Sequence, residues 1–258
     1  MIREMTGDLS DKEVRDQIAS VGRWYHQIEL RPGIVTPGIN DSPVLLRNLR
    51  LPTDCSGMRV LDLGTRDGFF AFEVEKRGAA EVLAVDSIDA NRTGFGVASR
   101  VLGSNVTYLH KNLYHLNEAE IGTFDIVLFL GLLYHLPDPI GGLRIARRLC
   151  RSRLYLETVI IDHELTLADG SRVAIEQLDP RLVDTPLMRF FPGDSFRGDP
   201  TNYWGPNVRC VRDMLAETEF SVVRVSASRD RAAFECVVAS RPERAGHLDQ
   251  ATGLAPRG

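Results

Sequence analysis

Chemistry in this chain is concentrated in three side chains: the neighbours Tyr134 and His135, and Glu157. A histidine titrates near neutrality, so His135 can take a proton from a bound hydroxyl or amine at ordinary pH. The same residue can instead serve only to hydrogen-bond a neighbouring loop, and the sequence leaves both readings open. Tyr134 is expected to line the pocket with its ring and to turn its hydroxyl toward a ligand. Glu157 closes an otherwise apolar run, Leu154-Tyr155-Leu156, where an unpaired carboxylate is unfavourable. It either grips or deprotonates a ligand, or it pairs with an arginine.

A second group has the chemistry of a nucleoside site. Val60-Leu61-Asp62-Leu63 leads into Gly64-Thr65-Arg66-Asp67-Gly68-Phe69, and glycine at such a strand–helix turn lets backbone approach a ligand closely. Asp86 follows by roughly twenty residues, the spacing at which a carboxylate ending the next strand meets two ribose hydroxyls. A dinucleotide fingerprint needs glycine where Arg66 stands and a third glycine in register, and the chain has neither. Arg66 either points to solvent or neutralises a ligand carboxylate. His110 and His115 lack companions at ligand spacing, so no metal is expected. The scattered Cys55, Cys150, Cys210 and Cys236 read as reduced packing residues.

Elements of a recognisable order must hold these groups. Ser10 and Glu13 form a capping-box signature, and Val14, Ile18, Val21 and Tyr25 continue at helical spacing, predicting three to four turns. The stretch RPGIVTPGINDSP is too rich in Pro and Gly for regular structure and reads as a loop. From Met58 apolar runs MRVLDLG, AEVLAVD, NVTYLH, FDIVLFLG and RLYLETVII alternate with helical patterns at 69–77, 90–102 and 139–149. That rhythm predicts a parallel sheet with helices on both faces. Residues 162–207 break it and read as an insertion. A helix near 208–217 and a closing antiparallel hairpin follow, and the polar tail 241–258 is expected to be disordered. The division expected is 1–45, a helix and lid loop; 46–240, the main domain; and the tail.

An acidic residue two positions before the first glycine, together with the terminal hairpin, resembles the class I methyltransferase pattern. The resemblance implies an α/β, Rossmann-like, seven-stranded and mostly parallel sheet, an N-terminal helical lid, an insertion after strand 5, and S-adenosyl-L-methionine as cofactor. On that pattern Asp62 orients the methionine end, and Gly64, Thr65, Arg66, Gly68 and Phe69 form the cofactor turn. Asp86 and Ser87 take the ribose, Asn112 and Leu113 the adenine, and Leu130 and Gly131 lie beside the sulfonium and the acceptor. Trp24, Tyr25 and His26 follow the first helix, as a lid over cofactor and acceptor or as a simple anchor to the sheet. Arg31 and, in the insertion, Tyr203 and Trp204 complete the expected acceptor side.

Gly131-Leu132-Leu133-Tyr134-His135 and Leu156-Glu157-Thr158, with Pro192-Gly193-Asp194 and Asn202-Tyr203-Trp204, resemble more specifically the enzymes that modify the wobble uridine of tRNA. That family includes a carboxymethyltransferase using carboxy-S-adenosyl-L-methionine. The likeness runs from about Ile28 to Val225. The chain departs from it in lacking the large N-terminal helical region, and it carries Tyr25 where the family has a lysine for the carboxylated cofactor. Arg31 or Arg66 is the available substitute.

The reading reached is methyl transfer to an oxygen or nitrogen of a small-molecule acceptor, with tRNA and the carboxylated cofactor as the alternative. A net charge of -4 over 258 residues argues mildly against a nucleic-acid partner. No apolar run is long enough for a bilayer, and the charged N-terminus lacks a secretory core, so a cytoplasmic monomer or homodimer is expected.

Overall fold

The computed structural model describes residues 9–239. Its centre is a seven-stranded sheet: β1 (Arg59–Leu63), β2 (Glu81–Asp86), β3 (Thr107–His110), β4 (Phe124–Leu130), β5 (Cys150–Val159), β6 (Phe220–Ser228) and β7 (Arg231–Val238), in the order β6-β7-β5-β4-β1-β2-β3. Strands β1 to β5 pair in parallel, and the hairpin of β6 and β7 joins antiparallel to β5. The expected sheet and closing hairpin are therefore present. The strand order reverses between β1 and β4, which run parallel, and the crevice outside the carboxyl ends of the strands at such a switch is where ligands bind in sheets of this type.

Side chains alternate across each strand, so one apolar run feeds two cores. Leu61, Leu63, Val127, Phe129, Leu154 and Leu156 face one side. There they meet α5 (Pro139–Leu149) and α6 (Val208–Glu217) through Leu143, Ala146, Val211 and Leu215. Val60, Ala84, Ile126, Leu128 and Tyr155 face the other. That side is covered by α1 (Asp11–Ser20), α2 (Ser42–Leu49), α3 (Phe69–Lys76) and α4 (Phe95–Leu102).

Four local expectations need correction. The capping box of Ser10 and Glu13 forms, but α1 stops at Ser20, before Gly22, although the apolar spacing continues to Tyr25. The Pro- and Gly-rich stretch is partly regular: Glu29–Arg31 and Ile34–Val35 form a ribbon that turns through Gly33 at φ +75°. It ends in α2, capped by Asp41, so the boundary expected at 45/46 falls inside a helix. The helix expected over 90–102 is interrupted: a 3-10 turn, Ala90–Arg92, precedes α4. Trp24 lies so close over Gly94 that a Cβ there would stand 2.1 Å from its ring. The insertion holds two small ribbons, Leu165–Thr166 with Arg172–Val173 and Met188–Phe190 with Trp204–Pro206. The tail expected at 241–258 lies outside the described residues.

Candidate functional site

The turn after β1 is built by residues in the left-handed region: Gly64 at φ +77°, Arg66 at +54° and Gly68 at +91°. Gly68 has no room for a side chain, since a Cβ would lie 2.5 Å from Phe72 and 2.7 Å from Phe95. Arg66 adopts backbone that favours glycine, and its Nε is buried without a partner. Asp86, ending β2, accepts the Arg66 N–H at Oδ2 and the Ile88 N–H at Oδ1, each at 2.9 Å. Each oxygen keeps a lone pair for a ribose hydroxyl. Asp62 is 2% exposed and its Oδ2 has no partner. Burial lifts its carboxyl to about 7 against the pull of Thr65, with the Asp86 charge adding to the rise. An orphaned carboxylate beside a glycine turn fits a cationic group, as the expected cofactor carries.

The other expected cofactor residues fall around this crevice. Phe69 opens α3 and packs edge-on to Phe70. Leu113 and Leu130 are buried, in the cores on opposite faces of the sheet. Ser87 is exposed, its carbonyl accepting from His110 Nε2 at 3.0 Å. Asn112 already has its Oδ1 engaged by the Tyr114 N–H at 3.0 Å, which leaves its amide group for a ligand. Gly131, at φ +67°, follows β4 and faces the Tyr134 hydroxyl and Glu157.

Asp67, which the sequence reading passed over as a turn residue, ties this region together. It is fully buried and accepts three backbone N–H groups: Tyr25 at 2.6 Å, His26 at 2.9 Å and Gly94 at 2.9 Å. One carboxylate thus fastens the segment after α1 and the entry to α4 onto the cofactor turn.

A cavity of about 550 Å³ opens at Tyr25, whose N–H is bonded to Asp67 of the turn. Tyr25, Asn40 and the α2 residues Val44, Leu45 and Asn48 form one wall, Tyr134, His135 and Glu157 the floor. Phe196, Asp199 and Asn202 of the insertion and Arg231 of β7 close it. Glu157 is 1% exposed and takes a bidentate pair from Arg231, Nε to Oε1 at 2.5 Å and Nη2 to Oε2 at 2.9 Å. Of the two readings of Glu157, the geometry realises the ion pair. Arg231 also donates from Nη1 to the Tyr134 hydroxyl at 3.2 Å. Burial pushes the Tyr134 phenol up, so it stays protonated with its hydrogen free for a ligand.

His135 is oriented from behind. Its Nδ1 lies 3.1 Å from the Thr201 carbonyl and 3.0 Å from the Thr201 hydroxyl, which in turn donates to Asp199 Oδ1 at 2.6 Å. A carbonyl only accepts, so the proton sits on Nδ1 and Nε2 carries the lone pair. Burial lowers the pKa of His135, opposed by the Thr201 carbonyl and by Asp199, and keeps the ring neutral.

Several expected acceptor residues sit elsewhere. Trp24 is 3% exposed, donates to the Ile18 carbonyl at 3.0 Å and packs on Gly94, so it anchors α1. His26 is buried against Phe69 and Phe70, and burial drops its pKa to about 4 despite Asp67. It is a neutral packing residue under the turn. Arg31 pairs with Asp11 at 3.2 Å, away from the cavity. Trp204 packs at a tilt against the exposed Phe190 and donates to the Pro137 carbonyl at 3.4 Å, while Tyr203 contributes its backbone N–H to the Tyr134 carbonyl at 2.8 Å. Neither is on the cavity wall. Of the N-terminal trio only Tyr25 reaches it, its hydroxyl accepting from Asn40 at 3.2 Å. Among the described residues no group of metal-ligating side chains comes together, and no helix is long and apolar enough to cross a membrane.

Comparison with known proteins agrees with this geometry. Residues 42–202 match a family model described as methyltransferase domain. The chain is 29% identical over 171 residues to a tRNA U34 carboxymethyltransferase of Aliarcobacter butzleri, covering 66% of this chain and 49% of that protein. It is 28% identical over 159 residues to a ubiquinone biosynthesis O-methyltransferase of Xanthomonas oryzae pv. oryzae, covering 60% and 63%. The chain thus spans about half or less of the length of the tRNA-modifying relatives it matches. Among solved structures, the N-terminal domain of EvdMO1, crystallised in the presence of SAH and D-fucose, aligns with a TM-score of 0.59 at 20% identity. That alignment covers 92% of this chain and 100% of the other.

Proposed function

This chain belongs to the methyltransferase-domain family, and we propose that it uses S-adenosyl-L-methionine to methylate an oxygen or nitrogen of a small molecule held in the cavity at His135. The observation that carries this reading is the bare Nε2 of His135, fixed by Thr201 at a cavity whose wall residue Tyr25 is bonded to the cofactor turn. When bound, the cofactor supplies an electrophilic methyl whose transfer leaves the electron pair on sulfur as the bond to the acceptor forms. Asp86 holds the ribose and Asp62 faces the cationic methionine end. His135 Nε2 takes the acceptor's proton, and Tyr134, locked by Arg231, holds the acceptor through its hydroxyl. The apolar side chains Val44, Leu45 and Phe196 offer surface that suits a ring-containing acceptor.

The tRNA U34 carboxymethyltransferase relatives favour a second reading, transfer to the wobble uridine of tRNA, with a carboxylated cofactor. One experiment separates the two. The purified chain is incubated with methyl-labelled S-adenosylmethionine, and in parallel with labelled carboxy-S-adenosylmethionine, and a cell extract split into its small-molecule and tRNA fractions. Label is expected in the small molecules and lost with His135→Gln. Label in tRNA, with binding that weakens steeply as salt rises, overturns the first reading for the second. Native mass spectrometry that finds a nicotinamide dinucleotide in the purified protein removes both.

A further inference from the structure

The cavity holds a second hydrogen-bond acceptor that the chain itself leaves unused. Asn202 is 4% exposed and lines the cavity wall. Its Nδ2 donates to the Phe196 carbonyl at 3.1 Å. Because a carbonyl oxygen only accepts, that bond fixes which way round the amide lies. Oδ1 is left with no protein donor. Native proteins rarely leave a buried acceptor in this condition, and the exceptions call for an explanation.

Its position supplies one. Asn202 follows Thr201, whose carbonyl and hydroxyl hold His135 Nδ1, and precedes Tyr203, whose N–H is bonded to the Tyr134 carbonyl. The orphaned amide therefore belongs to the strap that orients the base. Three acidic neighbours in the cavity are already engaged: Glu157 with Arg231, Asp230 with Arg197, Asp199 with Thr201. His135, held by Thr201, and Asn202, the residue after Thr201, thus line one cavity, each with an acceptor, Nε2 and Oδ1, that has no hydrogen-bond partner among the described residues.

We propose that the acceptor molecule presents two neighbouring hydrogen-bond donors, as a vicinal diol or an amino-alcohol does, one yielding its proton to His135 and the other donating to Asn202. This rests on the reading of the cavity as the acceptor site. Asn202 is then a specificity-determining residue. A molecule with a single hydroxyl leaves its Oδ1 without a donor, and a site built to hydrogen-bond a hydroxyl discriminates strongly against the analogue lacking it.

The test uses the full chain and matched probes: catechol against phenol, and cis-1,2-cyclohexanediol against cyclohexanol. Binding is followed by ligand-observed NMR with S-adenosylhomocysteine present, and methyl transfer with S-adenosylmethionine. The expected result is a diol preference of at least tenfold in Kd on one scaffold or the other. Asn202→Ala removes that preference by weakening the diol alone, and Asn202→Asp, which keeps an acceptor oxygen, retains it. Thermal unfolding of both variants checks that the strap still folds. Equal affinity for diol and mono-alcohol in the unaltered protein overturns the proposal, as does a preference that Asn202→Ala leaves in place. Diol preference without any methyl transfer upholds the role of Asn202 and sinks the transferase reading, so the two fail separately.

Discussion

His135 owes its value as a base to the far side of its ring. The Thr201 carbonyl places the proton on Nδ1, and burial holds the pKa below the ordinary 6.5. The base acts only when neutral, so kcat/KM should fall on the acid side with a midpoint below 6.5. Asp199 pulls that pKa upward, so Asp199→Asn should move the acid limb to still lower pH. His135→Gln should lower kcat by about 10²–10⁴ with little change in KM. A pH profile indifferent to both substitutions would remove His135 from the chemistry. The pairing of Glu157 with an arginine was legible in the sequence as one of two readings, but Arg231 was not. It lies 74 residues away and arrives only because β7 pairs with β5, setting Arg231 opposite Val159. Arg231→Ala leaves a buried carboxylate alone and should destabilise the fold by about 3–5 kcal/mol in denaturant unfolding. Glu157→Gln in the same chain should restore part of that loss.

At the scale of the element, the glycine turn shows what a local pattern can and cannot convey. Gly64, Gly68 and Asp86 were readable because their spacing is set by one strand, one turn and the next strand. Asp67 was not readable, because Tyr25, His26 and Gly94 donate backbone N–H groups to it, and these carry no residue-type signal. The break at Gly94 was missed for a related reason: Trp24, which forbids a side chain there, comes from a different segment. Trp24 itself was left open between lid and anchor, a choice only its depth of burial settles. Two substitutions test the turn. Gly68→Ala must place a Cβ against Phe72 and Phe95 at φ +91°, and should cost roughly 2–4 kcal/mol in unfolding free energy. Asp67→Ala strands three buried donors and should both lower the melting temperature and raise the concentration of S-adenosylmethionine needed for half-saturation. If Asp67→Ala left cofactor affinity unchanged, the hub would hold only the fold.

For the whole molecule, four stretches far apart in sequence converge on the carboxyl edge of the sheet: the segment after α1, the turn after β4, the insertion and the β6–β7 hairpin. The alternation of strands and helices and the closing hairpin were legible because periodicity and run length carry them. The convergence was not, since it depends on where each excursion from the sheet returns. The sheet and its first turn set the electrostatics of Asp62, buried on β1 with Oδ2 unpaired and its pKa raised to about 7, chiefly by burial. A carboxyl raised in the folded state stabilises the fold fully below its unfolded value near 3.8, and that stability is lost as pH rises through about 7. The free protein should therefore lose melting temperature as pH rises from about 4 to about 7. A cation beside Asp62 reverses the balance, because it favours the ionised form that burial opposes. The affinity for S-adenosylmethionine should accordingly rise about tenfold over the same interval, with protons released on binding at the acid end. Asp62→Asn should flatten both trends. Calorimetry in buffers of different ionisation enthalpy reads the proton release directly, and a pH dependence that survives Asp62→Asn would place the cation's partner elsewhere in the crevice.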